Sequence, residues 1–332
     1  MTVLATLTHD RAMAPRVREP LRIETLVDSG QAEWDRFVAD SPGGSIFHTC
    51  AWMDAVGATF GHRSIYLMAK RGNCLTAVLP LFEINSLLGG RMLVSVPYAV
   101  YGGPVGDDVE AIALLLNETK AIADRIGARC VELRSQRAVW PDVPTVDHYA
   151  TYRKALPKKS EDCLDALPRK ARAAARAARE RHKLTVSFDP AQVLDVWRLY
   201  CRSMRRIASL NYPLQLFIEL VVRTGDNSLV SLIRHQGRPI GGLVTFLYNG
   251  VAMPYFVGAD AKFNRLNVNN FIYLTAMERA VELGCHTFDF GRSRRDNHGS
   301  SDFKRHHGFE PETLQYQVYS SPGANPPNLT PS

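Results

Sequence analysis

The stretch NFIYLTAMERAVELGCHTFDFGRS, residues Asn270–Ser293, decides which fold is expected for this chain. Its apolar residues first recur at helical spacing, and Gly284 then supplies a typical helix stop. The alternation through residues 287–290 predicts a short buried strand. Gly291 allows a sharp exit, so the Arg292-Ser293 pair is expected to project from the edge of a sheet, where binding and catalytic groups concentrate.

The same plan occurs about 160 residues earlier in VEAIALLLNETKAIADRIGARCVELRS, residues Val109–Ser135. Helical spacing predicts a helix over Val109–Ile126, followed by a glycine stop, and Cys130–Leu133 predicts a strand that is again followed by Arg and Ser. Two strands joined by a polar turn are predicted before each helix, over Ser64–Ile84 and Leu229–Leu247. The recurrence indicates two copies of one mixed α/β unit, with chance similarity between common units as the alternative.

The length of 332 residues and the apolar content of 45% favour two domains. We expect an α/β (α+β) fold of two tandem units, residues 21–156 and 184–320, joined by a basic helical linker at 157–183. Residues 1–20 and 321–332 are polar or rich in Pro, Ser and Asn, which predicts disordered tails at both ends.

A basic segment between the two units carries the net charge of the chain. Residues 153–183 contain eleven Lys or Arg and four Asp or Glu, which accounts for the whole net charge of +7. If the segment around 169–183 is helical, Arg169, Arg172, Arg176, Arg179 and Lys183 fall within a sector of about 80°. This basic stripe predicts contact with a phosphate-bearing partner, such as a nucleotide-linked substrate, RNA or an anionic membrane surface, and a solvated linker helix is the alternative.

Other features of the sequence narrow the range of functions. No Walker loop, dinucleotide-binding glycine motif, G-x-S-x-G elbow or H-E-x-x-H motif occurs, which argues against the corresponding enzyme classes. The six cysteines form no Cys-x-x-Cys pair and are interpreted as core residues. Histidines 298, 306 and 307 lack metal-ligand spacing, so no metal site is expected. The lack of a signal-peptide-like or membrane-spanning segment predicts a cytoplasmic protein.

Several motifs give the chain a family resemblance. The order of hairpin, strand, helix and strand is that of the GNAT acetyltransferase fold. Over roughly residues 33–319 the chain resembles the FemAB family of tandem GNAT-like transferases, most closely the subfamily associated with exopolysaccharide loci and the PEP-CTERM sorting system. Its second half is similar to the BioF2-like acetyltransferase domain. The matching motifs are Tyr101-Gly102-Gly103-Pro104, Arg169-Lys170-Ala171-Arg172 with Arg176, Val257-Gly258-Ala259, Asn269-Asn270, Phe290-Gly291-Arg292-Ser293, Phe303-Lys304 and Gly308-Phe309.

The resemblance implies an acyltransferase that moves an amino acid from aminoacyl-tRNA to an amine on a lipid- or nucleotide-linked envelope or exopolysaccharide precursor. It implies that Lys304 carries an essential cation near the reacting ester, that Phe303 packs beneath it, and that Arg172 and Arg176 face substrate phosphates. A fixed donor aimed at a developing oxyanion is worth roughly 3–4 kcal/mol. The basic segment is also compatible with peripheral contact with an anionic inner membrane.

The expected site contains further residues. Asp302 is a candidate general base, with Asp289 and His306 as alternatives, and proton transfer assisted by the substrate is a further possibility. The expected substrate-binding residues are Arg169, Arg172, Arg176, Arg292, Ser293, Asn269, Tyr255 and Tyr101. The most direct structural expectation is that Arg172, Arg176, Arg292 and Lys304 line one cleft.

Residues 265–270 bear on which acyl donor the protein uses. They correspond to the turn that binds pyrophosphate in acetyl-CoA-dependent GNAT enzymes. Val268 and Asn270 occupy positions that are small in that turn, and a β-branched side chain would hinder the approach of a phosphate. This favours aminoacyl-tRNA or a carrier-bound acyl group over acyl-CoA, with no resident cofactor. The alternatives are an N-acyltransferase that uses acyl-CoA or acyl carrier protein, and a non-catalytic RNA- or membrane-binding scaffold.

Overall fold

The computed structural model of the chain describes residues 19–86 and 90–321. The predicted tails therefore lie almost wholly outside the described residues. Eight α-helices are described, at α1 Gln31–Asp40, α2 Cys50–Phe60, α3 Val109–Ile126, α4 Arg169–Glu180, α5 Val193–Arg206, α6 Leu214–Thr224, α7 Val268–Glu282 and α8 His298–His306. None of them is long and apolar enough to cross a membrane.

Sixteen strands are described, and they form two eight-stranded sheets. Sheet one contains β1 Leu21–Thr25, β2 Arg63–Arg71, β3 Cys74–Ser86, β4 Gly90–Val94, β5 Val105–Gly106, β6 Cys130–Leu133, β7 Thr145–Val146 and β16 Tyr316–Ser320. Sheet two contains β8 Tyr149–Ala155, β9 Thr185–Phe188, β10 Ser228–His235, β11 Arg238–Tyr248, β12 Val251–Ala259, β13 Thr287–Asp289, β14 Ser293–Arg294 and β15 Glu310–Thr313. Each sheet with the helices packed on it is one unit.

The repeated plan predicted from the sequence is confirmed. Sheet one runs β1-β2-β3-β4-β6-β16 and sheet two runs β9-β10-β11-β12-β13-β8 along corresponding positions. In both units a helix leads to a strand that pairs in parallel with the strand before the helix, as β6 does with β4 and β13 with β12. Helix α3 has the predicted bounds, because Asp108 accepts hydrogen bonds from two backbone N–H groups at its start and Gly127 ends it in the left-handed conformation.

The two units exchange strands, which the sequence division did not anticipate. Strand β8 falls within the range assigned to the first unit but pairs with β13, β14 and β15 of sheet two. Strand β16 falls within the range assigned to the second unit but pairs with β6 and β7 of sheet one. Each sheet is completed by a strand from the other half of the chain, so the boundaries at 156 and 184 do not separate the two sheets.

The largest buried cluster lies between the units. It joins Trp52 and Tyr101 of the first unit to Leu199 and Phe256 of the second, together with Tyr316 of the exchanged strand. Helix α2 packs against α6 across the same interface. Because this core is shared, the relative placement of the two units is set by burial of apolar side chains rather than by a flexible connection.

The basic helix α4 is part of the second unit rather than a free linker. Its buried face consists of Ala171, Ala175 and Ala178, which pack in one cluster with side chains of α7. Small residues at this spacing let two helices approach closely. The basic side chains are therefore confined to the flanks and the outer face of α4.

The interpretation of the cysteines needs a correction. All six are free, and Cys50, Cys130, Cys163 and Cys285 are buried as expected. Cys74, at the start of β3, is exposed, and Cys201 is half-buried. Cys74 follows the tight turn of the first hairpin, where the chain is at the surface and no core is available to it.

Candidate functional site

A gap between two parallel strands forms the first candidate site. Strands β12 and β13 pair only at Val251 with Thr287 and at Ala252 with Phe288. Beyond these pairs the strands separate, and a cavity of about 220 Å³ lies between residues 257–259 and Phe290. We call it the smaller cavity.

Three helices complete the lining of the smaller cavity. The lining side chains come from the end of α5, from the residues before α7 and its first turns, and from α8. They are Ser203, Met204, Arg206, Ile207, Asn264, Asn269, Tyr273, Ser300, Phe303 and Lys304. Gly258 allows α5 to approach, since a Cβ there would lie 2.2 Å from the backbone nitrogen of Tyr200. The structure thus brings together Phe303, Lys304 and Asn269, three of the residues expected from the sequence.

Lys304 is held by the main chain at the exit of β13. Its Nζ donates to the carbonyl oxygens of Phe290 at 3.1 Å, Gly291 at 2.9 Å and Arg292 at 3.5 Å. The side chain is 7% exposed. Burial lowers the pKa of Lys304 to about 7, and the carboxylate of Asp289 acts in the opposite direction. In the ammonium form all three N–H donors are engaged, so Lys304 is an anchored cation at the wall of the cavity.

Phe303 belongs to an aromatic cluster beside Lys304. Its ring lies 4.2 Å from the ring of His307 and 5.4 Å from that of Tyr273, measured between centroids. His307 is 1% exposed, and its two ring nitrogens contact the Phe303 carbonyl oxygen and the Asn270 amide. His307 therefore fixes the end of α8 to α7, and burial lowers its pKa.

Asp302 and His306 lie on the exposed side of α8 and line neither cavity described here. The residues that line the smaller cavity include no carboxylate and no imidazole. The side chain of Asp302 therefore points away from that of Lys304, although the two residues are close in sequence. On α8, residues two positions apart point to different sides of the helix.

Arg292 and Ser293 lie next to the smaller cavity but do not line it. Arg292 is partly buried, and its guanidinium lies 4.8 Å from the ring of Tyr149 and donates to the hydroxyl of Tyr316 at 3.4 Å. Ser293 is 7% exposed and hydrogen-bonds Ser300 at the start of α8. Both residues connect the exit of β13 to neighbouring elements.

A larger cavity of about 580 Å³ lies on the other side of β13, between the units. Asp289 lies at its wall and Phe290 at the wall of the smaller cavity, because successive residues of an extended chain point to opposite faces. Asp289 is fully buried and accepts hydrogen bonds from the hydroxyls of Tyr101 at 2.7 Å and Thr151 at 3.1 Å. Burial raises its pKa, and these bonds act against the rise.

His48 is a buried group at the larger cavity that the sequence did not single out. Its Nε2 contacts the carbonyl oxygen of Gly103 at 3.0 Å and its Nδ1 contacts the hydroxyl of Ser45 at 2.8 Å. A carbonyl can only accept, so Nε2 carries the proton and Nδ1 accepts from Ser45. Burial lowers the pKa of His48 to about 4, so the ring is neutral at pH 7.

Arginines give the larger cavity its charge. Arg134, Arg137 and Arg153 line it together with the acidic Asp107 and Asp289. Arg134 is paired with Glu132 at 2.8 Å and Arg153 with Asp289 at 3.4 Å, so this lining suits a polar ligand with several hydrogen-bonding groups. The larger cavity could have been located from the sequence, because Arg134-Ser135 corresponds to Arg292-Ser293 in the repeated unit.

The arginines of α4 lie elsewhere. Arg169 and Arg176 are exposed and Arg172 is half-buried, and none of the three lines either cavity. The carboxylate of Asp165 lies 3.3 Å from Arg172 and 3.7 Å from Arg176. The expectation that Arg172 and Arg176 share one cleft with Lys304 is therefore not met. Because Ala171 and Ala175 form the buried face, the arginines point away from the sheet.

Tyr255 also lies outside both cavities. Its ring packs between the units against Trp52 at 5.5 Å and Phe246 at 5.6 Å. Tyr101 does line the larger cavity, where it connects the first unit to Asp289 of the second.

The first unit differs from the second where its two parallel strands end. Strands β4 and β6 pair at three positions, and Arg134 then donates to the carbonyl oxygens of Val96 at 3.3 Å and Ala99 at 3.1 Å. This contact holds the loop after β4 across the end of β6.

The steric argument at Val268 needs a correction. Its side chain is 1% exposed and packs in the core, where a Cβ on Gly241 would lie 2.7 Å from it. It therefore does not obstruct the outer side of the turn. Helix α7 begins there without a side-chain cap, so its first N–H groups are available to an acceptor.

Comparisons with known proteins agree with this architecture. Residues 167–305 match the acetyltransferase (GNAT) domain family. The chain is similar to the crystal structure of FemX, with a TM-score of 0.71 at 15% identity, over 90% of this chain and 97% of that one. It is similar to a tandem GNAT protein from the clavulanic acid biosynthesis pathway, with a TM-score of 0.57 at 13% identity, over 93% of this chain and 100% of that one.

The structure of L-PGS from Bacillus licheniformis is also similar, with a TM-score of 0.59 at 14% identity, over 88% of this chain and 91% of that one. No curated protein sequence matches the chain. At these identities the similarities establish the fold, which is that of tandem GNAT-like domains.

Proposed function

We propose that the protein is an N-acyltransferase that transfers an aminoacyl group from aminoacyl-tRNA to an amine, with the reacting ester in the smaller cavity. The observation that carries this proposal is the gap between β12 and β13, which is lined by Lys304 and Asn269. A gap between parallel strands exposes main-chain groups that can bind an extended acyl chain. The GNAT match over residues 167–305 covers this region.

The size of the smaller cavity limits what enters it. A volume of about 220 Å³ corresponds to roughly seven water molecules in the liquid. In this proposal the acyl end of the donor occupies the cavity and the carrier binds at the surface outside it. This agrees with a large carrier such as tRNA.

The reaction needs no covalent enzyme intermediate. The nitrogen of the acceptor amine attacks the carbonyl carbon of the ester, the C–N bond forms, and the C–O bond to the carrier breaks. The proton that the amine loses ends on the departing carrier oxygen. No residue lining the smaller cavity is a carboxylate or a histidine, so we propose that the proton moves within the substrates or through water.

Lys304 has a positioning role in this proposal. It holds the carbonyl oxygens of residues 290–292 together, and so it fixes the wall of the gap while its charge stabilises the developing oxyanion. The family resemblance implies only the effect of the charge. Here the anchored Nζ also fixes the positions of the main-chain groups that form the wall of the cavity.

The exposed face of α4 is the proposed place for the tRNA backbone. Arg169 and Arg176 are exposed, and the only ion pairs of Arg172 and Arg176 among the described residues are with Asp165. One carboxylate serves both of these arginines, so the helix face keeps a positive charge that attracts phosphates, and such contacts dominate affinity for nucleic acids. By the family resemblance, the acceptor is proposed to be an amine on a cell-envelope or exopolysaccharide precursor.

Binding measurements with bulk deacylated tRNA and with CoA test the donor. We expect tRNA to bind and the triple variant Arg169→Glu, Arg172→Glu, Arg176→Glu to weaken binding at least about tenfold at fixed salt. Arg125→Glu is the matched control, since Arg125 is a 68% exposed arginine on α3, and it should leave tRNA affinity unchanged. Unchanged affinity of the triple variant would contradict the proposed role of α4.

A CoA-dependent N-acyltransferase is the second candidate. The uncapped start of α7 beside Asn269 and the inward side chain of Val268 favour it, because a helix start with free N–H groups suits a pyrophosphate. Micromolar binding of CoA, with no binding of tRNA, would select this candidate. Full activity of Lys304→Ala in a complementation assay would instead leave the catalytic role without support and favour a non-catalytic scaffold.

A further inference from the structure

A projecting apolar and basic surface follows helix α5. We define the α5 tip as residues 202–210. Leu210 is 93% exposed and Ile207 is 56% exposed, and among the described residues Leu210 is the most exposed large apolar side chain. Single exposed apolar residues are common, but two within four positions at a helix end form a patch that a partner can cover.

The α5 tip is an ordered projection. The backbone N–H of Ala208 donates to the Arg205 carbonyl oxygen at 3.3 Å, and that of Ser209 donates to the Met204 carbonyl oxygen at 3.0 Å. Ala208 adopts a left-handed conformation, with φ of +52°. A hydrophobic contact beside the last turn frequently accompanies such helix endings. Here the ending presents Leu210 to solvent instead.

The charge around these side chains has one sign. Residues 196–218 contain four arginines and no acidic residue. Arg205 and Arg206 are exposed and form no ion pair within the described residues. Arg202 has a side chain that is 60% exposed and meets Asp260 only at 3.8 Å.

We propose that the α5 tip docks the protein on an anionic membrane surface, with Leu210 and Ile207 entering the interface and the arginines contacting lipid headgroups. Basic residues next to aliphatic side chains suit this partner, because the two kinds of group meet headgroup and acyl boundary together. RNA is less suitable, since it is bound by phosphate contacts and stacking, and neither uses an exposed leucine. The basic face of α4 differs from the α5 tip, because its arginines are not accompanied by large exposed aliphatic side chains.

The position of the α5 tip connects this surface with the candidate site. Arg206 and Ile207 belong both to the tip and to the lining of the smaller cavity. Docking would therefore bring the mouth of the cavity to the membrane, where a lipid-anchored amine could reach it. This consequence for the acceptor rests on the proposed function, whereas the membrane contact does not.

Sedimentation of the full chain with vesicles tests the inference. We expect it to bind vesicles of phosphatidylcholine with phosphatidylglycerol and not vesicles of phosphatidylcholine alone. Leu210→Glu, and separately Arg205→Glu with Arg206→Glu, should reduce the bound fraction at least about tenfold. Val109→Glu is the matched control, because Val109 is 79% exposed but flanked by Asp108 and Glu110, and it should bind as the wild type does.

Three results would overturn the inference. They are a lack of binding to the anionic vesicles, binding that is unchanged by both sets of tip substitutions, and a loss of tRNA affinity in the tip variants with vesicle binding intact. Binding of tRNA, measured in the same preparation, tests the proposed function independently of the membrane proposal. A protein that binds tRNA and not vesicles would lose only the membrane proposal.

Discussion

At the scale of single residues, Lys304 shows how burial and hydrogen bonding determine a role. Its Nζ donates to three main-chain carbonyl oxygens of residues 290–292, so it holds together the chain that leaves β13. A neutral replacement would leave those oxygens buried without a donor, which costs about 1–3 kcal/mol for each group. The residue therefore matters for the shape of the cavity before any substrate binds.

The lowered pKa of Lys304 gives a prediction on pH dependence. Because the folded pKa of about 7 lies below the ordinary value of 10.5, the unfolded chain binds the proton more tightly between these values. Wild-type stability should therefore rise relative to Lys304→Met between pH 7 and pH 10, by up to about 1.4 kcal/mol per pH unit. Urea unfolding of both proteins measures this difference, and parallel curves across that range would refute the assignment.

At the scale of elements, the approach of α5 to β12 depends on Gly258. A Cβ at this position would lie 2.2 Å and 2.3 Å from backbone atoms of Tyr200 and Leu199, and a helix backbone cannot give way as a flexible side chain can. The same approach places Ser203 and Met204 at the smaller cavity. The packing of this helix and the form of the candidate site are therefore set by one residue.

Two glycine substitutions test this dependence. Gly258→Ala should lower the free energy of unfolding by about 1–3 kcal/mol, because the added methyl group overpacks the α5 interface. Gly57→Ala is the control, since Gly57 lies within α2 and has open space at its Cβ position, and it should raise stability by roughly 0.5–1 kcal/mol. Chemical denaturation measures both, and a neutral Gly258→Ala would show that α5 can shift.

At the scale of the whole molecule, the exchanged strands and the shared core make the two units depend on each other. Strand β16 closes sheet one, and its Tyr316 lies in the core between the units and contacts Arg292 of the second unit. Loss of this strand should therefore affect both sheets rather than one. Cooperative unfolding of such an assembly is expected to occur in a single transition.

Truncation tests this coupling. A chain that ends at residue 314 should unfold at lower urea in both sheets together, as seen by hydrogen exchange of peptides from β2–β3 and from β10–β11. A chain that ends at residue 321 keeps β16 and is the reference for this comparison. Destabilisation confined to peptides of sheet one would show that the units fold independently.

The local elements and their repetition can be predicted from the sequence alone. The bounds of α3, the two hairpins and the strand before Gly291 follow from apolar periodicity and glycine stops, which act between residues close along the chain. The cluster of Phe303, Lys304 and Asn269 at one cavity was also anticipated, through motifs rather than geometry. The exchange of β8 and β16, the inward direction of Val268 and the separation of the α4 arginines from Lys304 became apparent only from the packed structure. These depend on which sheet edge and which core are free to accept a segment, and no pattern within the segment encodes that choice.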